Sequence, residues 1–173
     1  MRMILIGLGS NLGARTENLA RALEAIEELP DTRLLAVSEV VETEPWGVEG
    51  QPLFANAVAQ LETRMTADRL LLALKEIESR LGRRAGVRYG PRVIDIDILL
   101  AGTEVWTTTE LTVPHPRLAE RQFVLIPLLE IDPHASWPDA TPFDPAGATE
   151  GRIIGRLGAV PGYEHLTVGS GEG

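Results

Sequence analysis

Two aspartates, Asp95 and Asp97, interrupt the otherwise apolar run VIDIDILL. In an extended strand successive side chains alternate faces, so Ile94, Ile96, Ile98 and Leu100 share one side while Asp95 and Asp97 share the other. Their Cα atoms then lie roughly 6.5–7 Å apart, and the carboxylates can converge on one cation or on two held about 3.5–4 Å apart. Like charges so placed repel, and a cation relieves them. A bare D-x-D is more often two acids on a solvated strand face. Here the neighbours shift the balance: Arg83, Arg84, Arg88 and Arg92 place four guanidinium groups within ten residues of an otherwise acid-rich chain. Carboxylates and arginines on one edge suit a metal-chelated polyphosphate.

Composition bounds what else the chain can be. Its 173 residues, 44% hydrophobic, suffice for one well-buried core and predict a single domain over residues 1–160 with a flexible tail from 161 to 173. No apolar run reaches membrane-spanning length, and the first one is broken by Gly7 and Gly9, which predicts a soluble, cytoplasmic protein with no membrane partner. Cysteine is absent, so disulfides, thiolate chemistry and cysteine-held metals are excluded; any metal would be held by oxygen or by the three histidines, which points to a magnesium-like ion. A net charge of −9 argues against nucleic acid as a partner and for a small anionic ligand at the local arginine cluster. Size and the lack of an apolar patch signal predict a monomer.

These groups must be positioned by regular elements. MILIGLG reads as a buried strand, and TENLARALEAIEEL as a helix with Leu19, Ala22, Leu23, Ile26 and Leu29 on one stripe, capped by Asn11 or Thr16. RLLAVSEVVET and FANAVAQLET favour strands, separated by EPWGVEGQP, a proline- and glycine-broken segment that makes a candidate binding loop. TADRLLLALKEIESRLG is a second helix, with Thr66 at its cap and Gly82 as its stop. The basic loop follows, then the aspartate strand, a turn at Pro114 and Pro116, a helical segment near 117–131, and one short helix around GRIIGRL. Strand, helix, strand, strand, helix, strand is the βαββαβ plan of an α+β, ferredoxin-like sandwich: an antiparallel sheet with helices on one face, here with a C-terminal helical appendix.

The motif RYGPRVIDIDIL resembles the signature of the 6-hydroxymethyl-7,8-dihydropterin pyrophosphokinases of folate biosynthesis. GLGSNLG, TEPWGVEGQPLFANAV and LTVPHPRLAERQFVL are similar to other segments of that family and occur in the same order, so that the likeness covers about residues 3 to 135. The family's fold is also ferredoxin-like. The resemblance implies transfer of the β,γ-pyrophosphoryl group of ATP to the hydroxymethyl oxygen of the pterin, with release of AMP.

Residue by residue, it implies that Asp95 and Asp97 hold two Mg²⁺ ions, Asp95 also lying beside the pterin, and that Arg92 and Arg121 bear on the phosphates. Arg83, Arg84, Arg88 and Tyr89 lie in the loop expected to close over ATP, and Ile98 and His115 are further nucleotide positions. Phe54 and Phe123 match the ring-stacking positions, Asn56 the side chain that reads the ring edge, and Thr43 and Trp46 the loop that completes it. Gly9, Ser10 and Asn11 lack both the lysine and the spacing of a phosphate loop and fall on the pterin side. Three departures stand out: GRRAGVRYGPR is one residue shorter than the commoner loop, Tyr89 replaces a usual tryptophan, and Glu110 stands where some members carry a base. A two-metal phosphoesterase would need more acid or histidine ligands, and an RNA-binding sheet would need exposed aromatics on a basic surface.

Overall fold

The computed structural model describes residues 1–45, 49–82 and 91–169. A central strand, β1 (Arg2–Ser10), leads into helix α1 (Arg15–Glu27), and three strands follow: β2 (Thr32–Ser38), β3 (Val40–Thr43) and β4 (Phe54–Thr63). Helix α2 (Ala67–Arg80) then precedes the aspartate strand β5 (Asp95–Ala101). The chain continues through a small hairpin, β6 (Trp106–Thr107) with β7 (Thr112–Val113), to helix α3 (Gln122–Ile131), and ends in β8 (Ile153–Gly158) and β9 (Thr167–Val168). The main sheet runs β5-β1-β4-β2-β9, with β3 on β4 and β8 on β3. Its pairings are antiparallel except that of β2 with β9.

Alternation along β1 divides the interior in two. Ile4, Ile6 and Leu8 pack with the apolar stripes of α1 (Leu19, Leu23, Ile26) and α2 (Leu70, Leu74, Ile77) in one core. Leu5 points the other way, into a second core with Val58, Leu99, Leu118 and the α3 residues Val124, Leu125 and Leu128. Helices therefore cover both faces, and the expectation of helices on one face holds for α1 and α2 alone. α3 covers only part of its face, and what it leaves open becomes the site.

Several local expectations are corrected. Leu100 joins the α3 core rather than the isoleucine side, because the β1–β5 register shifts between Leu5 and Ile6 and the alternation slips by one residue there. The single strand expected over 33–43 breaks at Glu39; Ser38 accepts the Val58 N–H on its hydroxyl at 2.9 Å, substituting for a ladder bond at the break. Residue 14, an alanine with no capping side chain, precedes α1. Thr16 lies inside that helix and Asn11 is engaged elsewhere. α3 starts at Gln122, five residues later than the helical segment expected from 117.

The short helix expected at GRIIGRL is strand β8, antiparallel to β3. Three glycines within Gly151–Gly158 disfavour helix, and β3 offers an unpaired edge. Nor does the packed chain stop at residue 160. Tyr163 is buried and gives its hydroxyl to Glu27 at 3.0 Å, and β9 extends the sheet beside β2. Among the described residues, the stretch expected to be a helical appendix thus contributes α3 and two strands to the main sheet.

Candidate functional site

The site grows from the β1 register. On the α3 side of the sheet Gly9 lies opposite Asp95 on β5 and Asn56 on β4, while Gly7 lies opposite Asp97 and Val58. Two acids, two glycines and an amide so form adjacent rows across three strands. The glycines matter for different reasons. A Cβ on Gly9 would fall 2.7 Å from Asn56 Oδ1, whereas one on Gly7 would only reach ordinary contact with Leu99 at 3.5 Å. The space above this floor is a cavity of about 290 Å³.

Asp95, Asp97, Arg92, His115 and Arg121 line the cavity together with Thr43, Phe54, Asn56 and Phe123. The opposition predicted for Asp95, Asp97 and the isoleucines is therefore found, with Ile94 and Ile96 wholly buried behind them. Arg92 Nη1 donates to Asp95 Oδ1 at 3.3 Å. Its backbone is tied across the chain, since its N–H donates to Asn11 Oδ1 at 2.7 Å and its carbonyl accepts the Asn11 N–H at 3.0 Å. Asn11 Nδ2 also donates to Gln51 and to the Pro52 carbonyl, at 3.1 and 3.3 Å. One asparagine thus joins the end of β1 to the two segments flanking the site.

Burial pushes the Asp97 carboxyl up to about 6; the Asp95 charge and Glu78 add to this, and Lys75 and Arg121 oppose it. An acid pair held at such cost in protonation fits a divalent cation, which would reverse the penalty. Both donors are hard oxygens, as Mg²⁺ prefers. Among the described residues no cluster of three or more acid or histidine side chains offers a fuller metal cage. Phosphate oxygens beside such an ion would complete its shell.

His115 is held by its N–H to the Leu99 carbonyl at 2.9 Å, and its Nδ1 accepts the Arg117 N–H at 3.1 Å. Burial, with the charge of Arg121, lowers it to about 4, so it is neutral at physiological pH and carries its proton on Nε2. It is a donor suited to a phosphate oxygen. Arg121 sits just before α3, its carbonyl accepting the Leu125 N–H at 2.9 Å, and its Cζ lies 5.7 Å from the Phe123 ring centroid. Elsewhere in the lining Asn56 Nδ2 donates to Thr43 Oγ1 at 2.8 Å. A flat heterocycle with a polar edge fits between such phenyl rings and such an amide.

Ile98 is not brought to the cavity: its side chain lies in the α1–α2 core, opposite Ile6. Trp46, Arg83, Arg84, Arg88 and Tyr89 lie outside the described residues. Sequence reasoning missed Glu44 and Leu99, which also line the cavity, and the buried Glu78, whose Oε1 accepts the Ile96 N–H at 2.7 Å between the two aspartates. The only signal for Glu78 was an acid one position beyond the apolar stripe of α2.

Comparisons with known proteins give the family. A model of the 7,8-dihydro-6-hydroxymethylpterin-pyrophosphokinase family matches residues 5–133. The 2-amino-4-hydroxy-6-hydroxymethyldihydropteridine pyrophosphokinase of Pseudomonas aeruginosa is 42% identical over 139 residues, covering 80% of this chain and 86% of the relative. That of Aquifex aeolicus is 42% identical over 138 residues, with 80% and 85% covered. In fold the chain is similar to an HPPK-DHPS protein crystallised in complex with substrates, at a TM-score of 0.59 and 13% identity, covering 87% of this chain but 42% of that one. A family match across the strands and loops that build the cavity, with two relatives aligned along most of their length, places this chain in the 7,8-dihydro-6-hydroxymethylpterin-pyrophosphokinase family, and it is a pyrophosphokinase.

Proposed function

We propose that the chain transfers the β,γ-pyrophosphoryl group of ATP to the hydroxymethyl oxygen of 6-hydroxymethyl-7,8-dihydropterin, releasing AMP, in folate biosynthesis. The observation that carries the reading is that one cavity, floored by Gly7 and Gly9, is lined both by two acids with arginines and by aromatic rings with an amide. Phe54 and Phe123 would enclose the pterin ring, with Asn56, Thr43 and Trp46 at its polar edge. The hydroxymethyl group would then point toward Asp95. Arg92, Arg121 and neutral His115 would bind the phosphates, and Arg83, Arg84, Arg88 and Tyr89 would contribute further contacts to ATP.

Asp95 and Asp97 would hold two Mg²⁺ ions, which neutralise phosphate charge as the bond to the α-phosphate breaks. The chain's own contribution is positional. It aligns the hydroxymethyl oxygen with the β-phosphorus for in-line displacement: the new O–P bond forms there, the bridge to the α-phosphate breaks, and AMP leaves. Fixed arginines and a fixed imidazole N–H need no reorganisation when charge shifts toward AMP.

Four strands in the order β5-β1-β4-β2, all antiparallel, with α1 and α2 on one face, support the ferredoxin-like reading of the fold. A cytoplasmic monomer acting on small molecules, with no nucleic acid partner, fits the net charge of −9, and no helix among the described residues is long and apolar enough to cross a membrane. The deciding experiment is product analysis with ATP, Mg²⁺ and 6-hydroxymethyl-7,8-dihydropterin. AMP is expected in equal amount with a pterin diphosphate. ADP in its place would refute the pyrophosphoryl transfer.

A further inference from the structure

Gly151 has a φ of +57°, and a Cβ built on it would lie 2.3 Å from both Cδ1 and Cε1 of Phe123. Carbon atoms pack at about 3.5–4.0 Å, so no side chain fits between this backbone and that ring. The close approach is imposed from outside the pair. The Gln122 N–H donates to the Glu150 carbonyl at 2.8 Å and the Glu150 N–H to the Glu120 carbonyl at 2.9 Å, a short parallel bridge centred on Arg121 and Glu150. The Arg117 guanidinium also pairs with the Glu150 carboxylate. The segment entering β8 is therefore strapped to the turn that carries Arg121 and begins α3, and Gly151 is the point at which it crosses Phe123.

We infer that Gly151 is a positioning residue of the site: lacking a side chain, it lets the carboxyl-terminal segment run against Phe123 and hold that ring in the cavity wall. The inference rests on the reading of Phe123 as a pterin-stacking face. It extends the site to a segment beyond residues 5–133, the span of the family match. Holding a stacking ring in place ahead of binding raises affinity by removing the need to order it.

The test is a pair of glycine substitutions with a double-mutant cycle. Gly158 also has a positive φ, +79°, but a Cβ there has nothing within 4 Å, so G158A carries backbone strain without the ring contact. G151A is expected to raise KM and Kd for the dihydropterin about tenfold, with ATP affinity within about twofold of the parent, while G158A leaves both near the parent values. In an F123A background G151A should add nothing further. If G151A alone fails to fold, F123A/G151A should recover the Tm of F123A/G158A. An unchanged pterin KM in G151A, an equal loss in G158A, additivity on F123A, or no recovery of folding in the double variant would each overturn the inference. Loss of pterin affinity in F123A with none in G151A defeats this inference alone; undiminished affinity in F123A defeats the reading of Phe123 beneath it.

Discussion

Asn56 donates its Nδ2–H to Thr43 Oγ1 at 2.8 Å, and this bond turns the amide so that Oδ1 lies over the bare Cα of Gly9. The side chain is buried and its orientation is set before any ligand arrives. Thr43→Val keeps the shape but removes the acceptor, and is expected to raise the pterin KM about three- to tenfold. Asn56→Ala removes the amide proposed to read the ring edge and should cost about ten- to a hundredfold. Kinetics with pterin varied at saturating ATP will check both, with the ATP KM little changed.

The metal-free protein should respond to acid in a way that separates Asp97 from His115. With its carboxyl raised from 3.8 to about 6, Asp97 binds more protons folded than unfolded between those values, so its contribution to stability falls as pH rises through them. His115, lowered from 6.5 to about 4, does the opposite: its contribution is present above 6.5 and is lost as pH drops toward 4. The two partly cancel in the parent. Asp97→Asn should therefore show a steeper rise of Tm with pH between 4 and 6.5 than the parent.

The same substitution should gain stability and lose catalysis. At pH 7 to 8 without metal, Asp97→Asn is expected to be about 1–2 kcal/mol more stable, since an amide escapes the desolvation and repulsion that the carboxylate suffers. Turnover should drop about 10²- to 10³-fold. Denaturant melts in EDTA alongside AMP-release assays will show whether the changes run in opposite directions. A joint loss would place Asp97 in the packing of the sheet.

Arg121 lines the cavity with Asp95 and Asp97, and its Cζ lies 5.7 Å from the Phe123 ring centroid. Arg121→Ala is expected to lower kcat about 10²- to 10³-fold, as for loss of a preorganised transition-state donor. Arg121→Lys should restore only a minor part, because a point charge lacks the planar fork that grips phosphate. Single-turnover rates at saturating substrates will separate this from weakened binding.

Glu78 offers a test of support beneath the acids. Its Oε1 accepts the Ile96 N–H, and Lys75 Nζ approaches it at 3.4 Å. Glu78→Ala strands a buried amide and should cost about 1–3 kcal/mol in chemical denaturation. Glu78→Gln retains an acceptor while removing a negative charge, and should bring the Asp97 carboxyl back down toward its ordinary range, measurable by carboxyl-carbon NMR titration.

Local pattern carried much of this far. The bounds of β4 coincide with the segment FANAVAQLET, and α2 begins at the residue after Thr66, because strong periodicity and an extended cap residue act within a few positions. The direction of Asp95 and Asp97 follows from alternation alone. What alternation could not show was the slip that sends Leu100 to the α3 side, because it depends on where β1 shifts against β5. β8 was hidden because its strand state depends on β3, more than a hundred residues earlier. In the sequence Gly151 is merely the first residue of the short helix expected at GRIIGRL. Only the return of the chain to Phe123 gives it a task, and such contacts leave no periodic trace.

The partial cover provided by α3 also divides the molecule dynamically. α1 and α2 close the core on the sheet face away from α3, whereas Phe123 and Val124 at the start of α3 line the cavity and the strap through Glu150 holds that turn. Ligand stabilisation acts on the openings that would dismantle the site, and those are openings of the α3 layer. Amide exchange in α3 and around Glu150 should thus slow on substrate binding, while α1 exchanges as before: half the protein records occupancy and the other half holds the sheet still.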